Sequence, residues 1–222
     1  MKLKFLGTSS GEAIPRADCS CRQCQSRDKN DQRLRSAILV DKKILIDAGP
    51  DIAKELRSSQ IEALEIVLIT HDHQDHIGGV KDLLRVRRDL RIVRLRPGQH
   101  FKLLGVDIYA FKVKHSNVIP TVGVELGSVL YLPDTADLDS ASKYLRESKV
   151  AILDGSVLGR SFGGHLAIDE IIGETKVMKN LKKIYFTHNG HTHKTHKEME
   201  KLVQSMGDSR YHIAYDGLEI EV

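Results

Sequence analysis

The sequence contains no tryptophan, and aromatic residues make up only 5% of its 222 positions. No stretch approaches the run of about 18 apolar residues that a membrane-spanning helix requires. The first seven residues read MKLKFLG, an alternation of polar and apolar side chains that lacks the continuous apolar stretch of a secretory signal. We therefore expect a cytoplasmic protein that begins with a β-strand and has no membrane partner.

A strong charge of one sign is also missing. Lysine and arginine number 34 against 30 aspartate and glutamate residues, and the net charge of +4 is too small for a dedicated nucleic-acid-binding protein. With only five prolines, the chain has no linker rich in proline, glycine or serine. Because 41% of the residues are hydrophobic, residues 1–222 can bury one core, and we predict a single domain.

Cysteine is scarce and clustered, since the three cysteines all lie in the hexapeptide CSCRQC at residues 19–24. They are too close together to join distant parts of a fold by disulfides. Structural zinc sites use four ligands in a closed tetrahedron, so Cys19, Cys21 and Cys24 would leave one ligand to come from elsewhere. The sequence predicts a cysteine-rich zinc loop at residues 19–24.

Strand and helix patterns alternate along the chain, which predicts an α/β fold. Strand patterns occur at residues 36–40, 43–47, 65–70, 91–95, 106–113, 121–126, 128–132, 150–154, 183–187 and 211–222. Helical patterns with apolar residues three or four apart occur at residues 51–58, 79–88, 140–148, 168–181 and 194–205.

The eleven histidines are unevenly distributed, and the most informative segment is ITHDHQDHIGG at residues 69–79. His71 and His73 lie two apart directly after a predicted strand, so they point to the same side and can bind one cation. Asp75 and His76 follow after the chain turns and can reach a second cation. This spacing predicts a two-metal site at the end of a strand.

The motif H-x-H-x-D-H, formed by His71, His73, Asp75 and His76, resembles the signature of the metallo-β-lactamase-fold hydrolases. The resemblance implies a four-layer αββα sandwich and a dinuclear site that holds two divalent metals, Zn or Mn. It also implies the remaining ligands, each placed after a later strand. These are His115 on the first metal, Asp134 as the bridging carboxylate with Asp137 as its competitor, and His188 on the second metal.

Asp47 closes the predicted strand 43–47, where the family commonly has an aspartate beside the metal ligands. The resemblance implies that it orients a ligand histidine through a hydrogen bond. An ordinary Asp-Ala-Gly turn explains the same residue equally well.

The cysteine cluster and the late segment THNGH at residues 187–191 resemble the phosphoribosyl 1,2-cyclic phosphate phosphodiesterase (PhnP-like) subgroup of this family. That resemblance implies a structural zinc held by the three cysteines and His191. It also implies hydrolysis of a small cyclic phosphodiester by a hydroxide shared between two metals. We count Asp75 and His165 as catalytic residues. The resemblance implies that His165 is a proton donor or a phosphate contact. The alternative is that His165 is an ordinary surface histidine.

Other functions stay open at this point. A tRNA 3′-processing-like ribonuclease and a glyoxalase II-type thioester hydrolase share the first motif, and a non-catalytic zinc-binding module would use the cysteines alone. Six arginines at residues 85–96 would suit RNA, but a solvated edge strand explains them better. Nucleic acid is thus not the favoured partner, and a homodimer is neither required nor excluded. Arg33 and Arg35 are candidates for a second phosphate, while His193 and His196 are expected to be surface residues.

Overall fold

Runs of aliphatic residues form the central strands of each sheet, several of which are buried on both faces. The computed structural model describes residues 1–222, apart from the side chains at positions 58 and 59, and over this range the strands form two sheets. One sheet contains β1 (Lys2–Gly7), β2 (Ala37–Val40), β3 (Ile44–Ile46), β4 (Ile66–Ile69), β5 (Arg91–Arg94) and β13 (Glu219–Glu221). The other contains β6 (His100–Leu103), β7 (Val106–Val113), β8 (Thr121–Leu126), β9 (Val129–Leu132), β10 (Val150–Asp154), β11 (Lys183–Thr187) and β12 (Tyr211–Ile213).

Helices cover the outer face of each sheet. The helices are α1 (Ile52–Glu55), α2 (Ser58–Glu62), α3 (Gln74–Ile77), α4 (Val80–Val86), α5 (Ser142–Glu147), α6 (Ile168–Thr175) and α7 (His196–Met206). One apolar cluster lies between the sheets, and each outer face has its own cluster beneath the helices. The predicted four-layer αββα sandwich is confirmed. None of the helices in the described part of the chain is long and apolar enough to cross a membrane.

The strand directions determine which ends of the strands come together. In the first sheet β3, β4 and β5 are parallel, and in the second β9, β10, β11 and β12 are parallel. Because β7 and β9 are both antiparallel to β8, β7 also runs in the direction of β9. The carboxyl ends of β7, β9, β10 and β11 therefore lie at one edge of their sheet, where ligands commonly bind in α/β proteins.

Two predicted elements are wrong in their extent. Residues 211–222 form not one strand but β12 and β13, which belong to different sheets and are joined through a turn at Gly217, where φ is +90°. The predicted helix at 168–181 ends at Thr175, although the apolar spacing continues. Turns stabilised by Met178 N–H to Thr175 O and Leu181 N–H to Met178 O carry these two side chains into the core instead.

The hydrophobic patterns of the sequence did not predict three short elements. The predicted helix at 51–58 is divided, because Leu56 is extended and a separate α2 begins after it. The helix α3 has a single turn and carries two of the histidine-motif residues. The edge strand β6 has the half-exposed sequence HFKL and pairs with β7 alone, while Phe101 and Leu103 pack against the core. These elements are too short for a periodic apolar pattern to develop.

A buried carboxyl group links folding stability to pH. Glu55 ends α1, and neither of its carboxyl oxygens has a hydrogen-bond partner among the described residues. Burial raises the pKa of Glu55 from 4.5 to about 9, and the nearby Asp216 and Asp51 carboxylates add to the rise. The folded protein therefore keeps a proton that the unfolded chain releases.

Replacement of Glu55 by glutamine is expected to stabilise the protein at alkaline pH. Since the folded-state pKa is raised, the wild type loses stability as pH rises towards 9, by at most about 1.4 kcal/mol per pH unit. Because glutamine cannot ionise, the free energy of unfolding of Glu55→Gln should fall less steeply with pH above pH 6.5 than that of the wild type. Urea unfolding between pH 6.5 and 9 measures both slopes, with Glu62→Gln on the exposed face of α2 as the control. Equal slopes in wild type and Glu55→Gln would contradict the assignment.

Candidate metal centre

The predicted ligands follow the carboxyl ends of four strands. His71 lies two residues after β4, His115 two after β7, Asp134 two after β9, and His188 directly after β11. The structure brings these side chains together with those at the start of α3, although they are up to 117 positions apart in the chain. Their role as ligands stays a prediction.

Three imidazole nitrogens converge in the first group. The Nδ1 atom of His73 lies 2.9 Å from Nε2 of His71 and 3.2 Å from Nε2 of His115. Zn–N bonds of about 2.0–2.1 Å at tetrahedral angles place two ligand nitrogens about 3.3 Å apart. The spacing and the chemistry of this donor set therefore fit one divalent cation.

A carboxylate and two imidazoles converge in the second group. Nε2 of His188 lies 3.2 Å from Nε2 of His76 and 3.1 Å from Oδ2 of Asp75. The remaining edge, from His76 Nε2 to Asp75 Oδ2, measures 3.6 Å. These distances fit a second divalent cation beside the first group.

Asp134 lies between the two groups and is 2% exposed. Its Oδ2 atom is 3.1 Å from His76 Nε2, and its Oδ1 atom is 3.8 Å from His115 Nε2. Oδ2 makes no hydrogen bond to any described residue, which leaves a buried carboxylate oxygen without a partner. Such an atom fits a position between two cations. The competitor Asp137 instead lies 3.7 Å from Lys114 Nζ.

Hydrogen bonds on the far side of the rings direct the free nitrogens inward. His76 Nδ1 donates to Asp47 Oδ2 at 2.8 Å, and His115 Nδ1 donates to the Gly164 carbonyl at 2.9 Å. His71 Nδ1 donates to the Thr70 hydroxyl, which itself donates to Asp47. These bonds select the tautomer whose Nε2 lone pair faces the centre, the arrangement typical of metal-binding histidines.

The expected hydrogen bond from a ligand histidine to Asp47 is thus present. Asp47 is fully buried and also accepts the backbone N–H of Thr70 at 2.9 Å. The residue occupies a left-handed turn with φ of +63°, so the turn interpretation is correct as well. Asp47 connects the predicted ligands of the first and second groups through Thr70 and His76.

The protonation states of the centre suit a cation. Burial, helped by the charge of His76, lowers the pKa of His71 to about 2 and keeps its imidazole neutral. Burial also raises the pKa of the Asp75 carboxyl, but the hydrogen bond from His188 and the charge of His76 outweigh it and hold that pKa below its usual range. Ionised carboxylates and neutral imidazoles are the forms that bind metal ions.

The two carboxylates beside His76 favour its protonated form. Burial alone would lower the pKa of His76, but the adjacent Asp134 and Asp47 carboxylates raise it well above its ordinary value. Metal binding to an imidazole requires loss of that proton. A cation bound here would replace the proton as the positive charge between these two carboxylates.

His165 approaches the centre from a tight hairpin. Reciprocal backbone hydrogen bonds of 3.0 Å join Phe162 and His165 across Gly163 and Gly164, both of which have positive φ. His165 Nδ1 donates to Asp154 Oδ2 at 2.8 Å, which leaves Nε2 free on a residue that lines the cavity. Burial lowers the pKa of His165, but Asp154 raises it by more.

Asp154 itself was not singled out in the sequence. It is fully buried at the carboxyl end of β10, the strand between β9 and β11. Its position at the end of a predicted apolar strand, like those of Asp134 and His188, is the signal that could have identified it.

The three cysteines and His191 form a second, separate cluster. The Sγ atoms of Cys19, Cys21 and Cys24 lie 3.6, 3.2 and 3.3 Å from Nε2 of His191. Zn–S bonds of about 2.3 Å and a Zn–N bond of about 2.0 Å place sulfur and nitrogen about 3.5 Å apart in a tetrahedron. The donor set therefore fits one zinc ion with no open position.

Two of the remaining sequence predictions are wrong. Arg33 is 3% exposed and donates to the Thr8 hydroxyl and the Ala214 carbonyl, so it cannot meet a phosphate. His196 is half-buried, with Nδ1 3.2 Å from Arg33 Nη2 and its ring against Tyr215, and is not a surface residue.

The structure also places His193, Arg35 and the arginines of residues 85–96. His193 is exposed, as expected. Arg35 is bound to Asp51 at 2.7 Å and to the Gly11 carbonyl at 2.9 Å, and is therefore already engaged. The arginines of residues 85–96 lie on α4, on the edge strand β5 and in the flanking turns, and three of them pair with Asp82, Asp89 and Asp72.

A cavity of about 430 Å³ opens over the predicted metal ligands. His73, Asp75, Asp134 and His188 line its floor together with His165. The size is in the range of small-molecule binding sites. The same cavity reaches Arg16 and His191, so the two predicted metal clusters border one space.

Comparison with known proteins gives a family match over most of this region. The sequence model of the Metallo-beta-lactamase superfamily matches residues 31–193, more than half of the chain. An octanoyltransferase of Porphyromonas gingivalis is 24% identical over 259 aligned positions, which cover 99% of this chain and 51% of that protein. A hydroxyacylglutathione hydrolase of Francisella tularensis is 33% identical over 132 positions, which cover 58% of this chain and 49% of that protein. The chain thus spans about half the length of these curated relatives.

Solved structures share the whole fold. A diphosphatase of the PhnP family superposes with a TM-score of 0.84 at 25% identity, over 100% of this chain and 97% of that chain. Zinc-bound PqqB from Methylobacterium extorquens superposes with a TM-score of 0.76 at 19% identity, over 100% of both chains. The short form of human tRNase Z superposes with a TM-score of 0.67 at 16% identity, over 100% of this chain and 99% of that chain. The last two similarities establish the fold alone.

Proposed function

Because the chain belongs to the metallo-β-lactamase superfamily, we propose that it is a metal-dependent phosphodiesterase acting on a small cyclic phosphodiester such as a phosphoribosyl cyclic phosphate. The observation that carries this proposal is the combination of two features beside one cavity. One is the set of six donor residues that converge around Asp134, and the other is the cluster of three cysteines with His191. The similarity to a PhnP-family diphosphatase supports phosphodiesterase-type activity.

In this proposal each donor group holds one divalent cation. His71, His73 and His115 would hold the first, while Asp75, His76 and His188 would hold the second, with the Asp134 carboxylate lying between the two groups. When bound, such a pair lowers the pKa of water and neutralises charge that develops on phosphoryl oxygens. Imidazole and carboxylate donors suit both Zn and Mn, so cellular supply decides between them. Cys19, Cys21, Cys24 and His191 hold a structural zinc.

His165 delivers a proton to the leaving oxygen in this proposal. Its Nδ1–H donates to Asp154, which fixes the ring and leaves Nε2 to carry the acidic proton. Because Asp154 raises the pKa of His165, the imidazolium persists to higher pH than in an isolated histidine. Asp75 contributes at the cavity floor as an ionised carboxylate that would help to hold the second cation.

A thioester hydrolase is the second candidate, favoured by the 33% identity to hydroxyacylglutathione hydrolase. That similarity covers 58% of this chain, whereas the PhnP-family structure covers all of it. The octanoyltransferase relative is about twice as long as the matched region, so its acyl transfer is compatible with a site in its other half. The arginines paired with aspartates give little support to an RNA substrate.

A substrate panel tests the proposal. We expect the purified protein, supplied with Zn or Mn, to hydrolyse phosphoribosyl 1,2-cyclic phosphate and bis(p-nitrophenyl) phosphate. The kcat/KM for the better phosphodiester should exceed that for lactoylglutathione, an octanoyl thioester or precursor tRNA by about 100-fold or more. Faster turnover of lactoylglutathione would favour the thioester hydrolase and overturn the proposal. Asp134→Ala protein prepared in parallel reports any contaminating activity.

A further inference from the structure

The ring of His188 is held by a serine from the end of the neighbouring strand. Ser156 follows β10, and its Oγ atom lies 2.8 Å from Nδ1 of His188 and 3.1 Å from the carbonyl oxygen of the same residue. Oδ1 of Asp134 is also near Nδ1, but at 3.6 Å it lies beyond hydrogen-bond distance. The Ser156 hydroxyl is therefore the hydrogen-bond partner of this ring nitrogen.

The hydroxyl determines which nitrogen of His188 keeps a proton. A hydroxyl has one hydrogen to donate, and a carbonyl oxygen can only accept. The Ser156 hydroxyl therefore donates to the His188 carbonyl and accepts from the Nδ1–H of the ring. This bond keeps a proton on Nδ1, so Nε2 is the nitrogen left for a cation. Nε2 faces Asp75 and His76, at 3.1 and 3.2 Å.

The backbone of His188 is held by the same hydroxyl. His188 has a φ of +53°, in the left-handed region that is costly for a residue with a Cβ atom. The bond from Ser156 to the His188 carbonyl stabilises this conformation. One side chain therefore fixes both the backbone and the ring of a predicted ligand.

Ser156 is itself fixed in place. Its N–H donates to Oδ1 of Asp154 at 2.9 Å, and the other oxygen of that carboxylate accepts from His165. The carbonyl of Ser156 packs against Gly190, where a Cβ atom would overlap the Ser156 oxygen. Glycine is thus required for the close approach of the segments after β10 and β11. The hydroxyl has a defined position relative to His188 as a result.

We propose that Ser156 is a positioning residue for the second cation, because it holds Nδ1 of His188 and so directs Nε2 towards the other donors of the second group. This inference rests on the proposed dinuclear site and adds a residue to it. Without the hydroxyl, a small rotation brings the Nδ1–H of His188 within reach of Asp134 Oδ1. A ring turned in this way no longer directs Nε2 at the second cation.

The effect of Ser156 should be confined to one of the two histidine groups. The hydrogen bonds that His71, His73 and His115 make to described residues do not involve Ser156. The cysteines contact His191 and not His188. Loss of the hydroxyl should therefore weaken one ion and leave the first group and the cysteine site unaffected.

A stepwise zinc titration of the purified protein tests this assignment. Ser156→Ala should raise the dissociation constant of one ion by about ten-fold or more, the range typical for loss of a hydrogen bond to a metal-binding histidine. The other dissociation constants should stay within about three-fold of the wild type. Ser156→Thr keeps the hydroxyl and should restore the affinity. An equal loss at every ion, or no loss at any, would overturn the proposal.

Two further variants show the route of the effect. Ser10 lines the same cavity, but its hydrogen bond to a described residue comes from the backbone N–H, so Ser10→Ala should leave every dissociation constant unchanged. His188→Ala should weaken the same ion as Ser156→Ala. Adding Ser156→Ala to His188→Ala should cause no further loss, because the ring on which Ser156 acts is already gone. Additive losses would show that Ser156 acts elsewhere and would overturn the proposal.

Proton NMR of the zinc-saturated protein reports the hydrogen bond itself. The wild type should show a slowly exchanging imidazole N–H signal that is absent from His188→Ala, and Ser156→Ala should lose its protection from exchange. An equally protected signal in Ser156→Ala, in a wild type that holds zinc at both histidine groups, would reject the role of Ser156 alone. A wild type that binds zinc only at the cysteines would reject the proposed dinuclear site as well.

Discussion

Asp134→Ala is expected to remove the dinuclear metals and to lower phosphodiesterase turnover by about three orders of magnitude. The side chain is 2% exposed and lies between two groups of converging nitrogens and oxygens. Without its carboxylate, His76 loses a neighbour at 3.1 Å, and no carboxylate remains between the two donor groups. Metal analysis and kcat measured on the same preparation test both effects together.

Asp137→Ala is the matched control for this variant. Asp137 is three positions away on the same loop, but its carboxylate lies near Lys114 and outside the cavity over the metal centre. Its removal should leave metal content and kcat within about two-fold. An Asp134→Ala protein that kept both metals and turnover, or an Asp137→Ala protein that lost them, would identify the wrong carboxylate.

His165→Ala should lower kcat by about 10²- to 10⁴-fold for a substrate with an alkoxide leaving group. The same variant should lose little activity towards bis(p-nitrophenyl) phosphate, because p-nitrophenolate leaves without a proton. This difference separates proton donation from a purely structural role, since misfolding would affect both substrates equally. Equal losses on both substrates would reject His165 as the proton donor.

Asp154 is a positioning residue in this account, and its effect should appear in the pH profile. A proton donor must be protonated, so activity falls as pH rises through its pKa. Asp154 raises the pKa of His165, and Asp154→Asn should therefore move the alkaline limb of kcat to lower pH. An alkaline limb at the same pH in Asp154→Asn and wild type would mean that Asp154 does not raise the pKa of His165.

The local part of the metal centre could be predicted from sequence because it depends on strand geometry alone. His71 and His73 are two residues apart after a buried apolar strand, and that spacing is visible without any tertiary information. The ligands that are distant in the chain could not be predicted from spacing. His115, Asp134 and His188 meet the first motif only because β7, β9 and β11 run in the same direction, and here the family resemblance supplied what spacing could not.

The errors arise where tertiary contacts decide the outcome. An arginine such as Arg33 is usually exposed. In the structure it is buried instead, because it donates hydrogen bonds to the Thr8 hydroxyl and the Ala214 carbonyl, which are distant in the chain. The division of residues 211–222 between two sheets likewise depends on partners in β11 and β1.

The central claim is that two independent metal sites border one cavity, and counting the zinc bound per chain tests it most directly. After saturation with zinc and removal of excess, the wild type should hold about three ions per chain and Cys21→Ser about two, with part of the activity kept. Asp134→Ala should retain only the ion at the cysteine loop, about one ion per chain. A wild-type protein that binds zinc at the cysteines alone, with none lost in Asp134→Ala, would contradict the account.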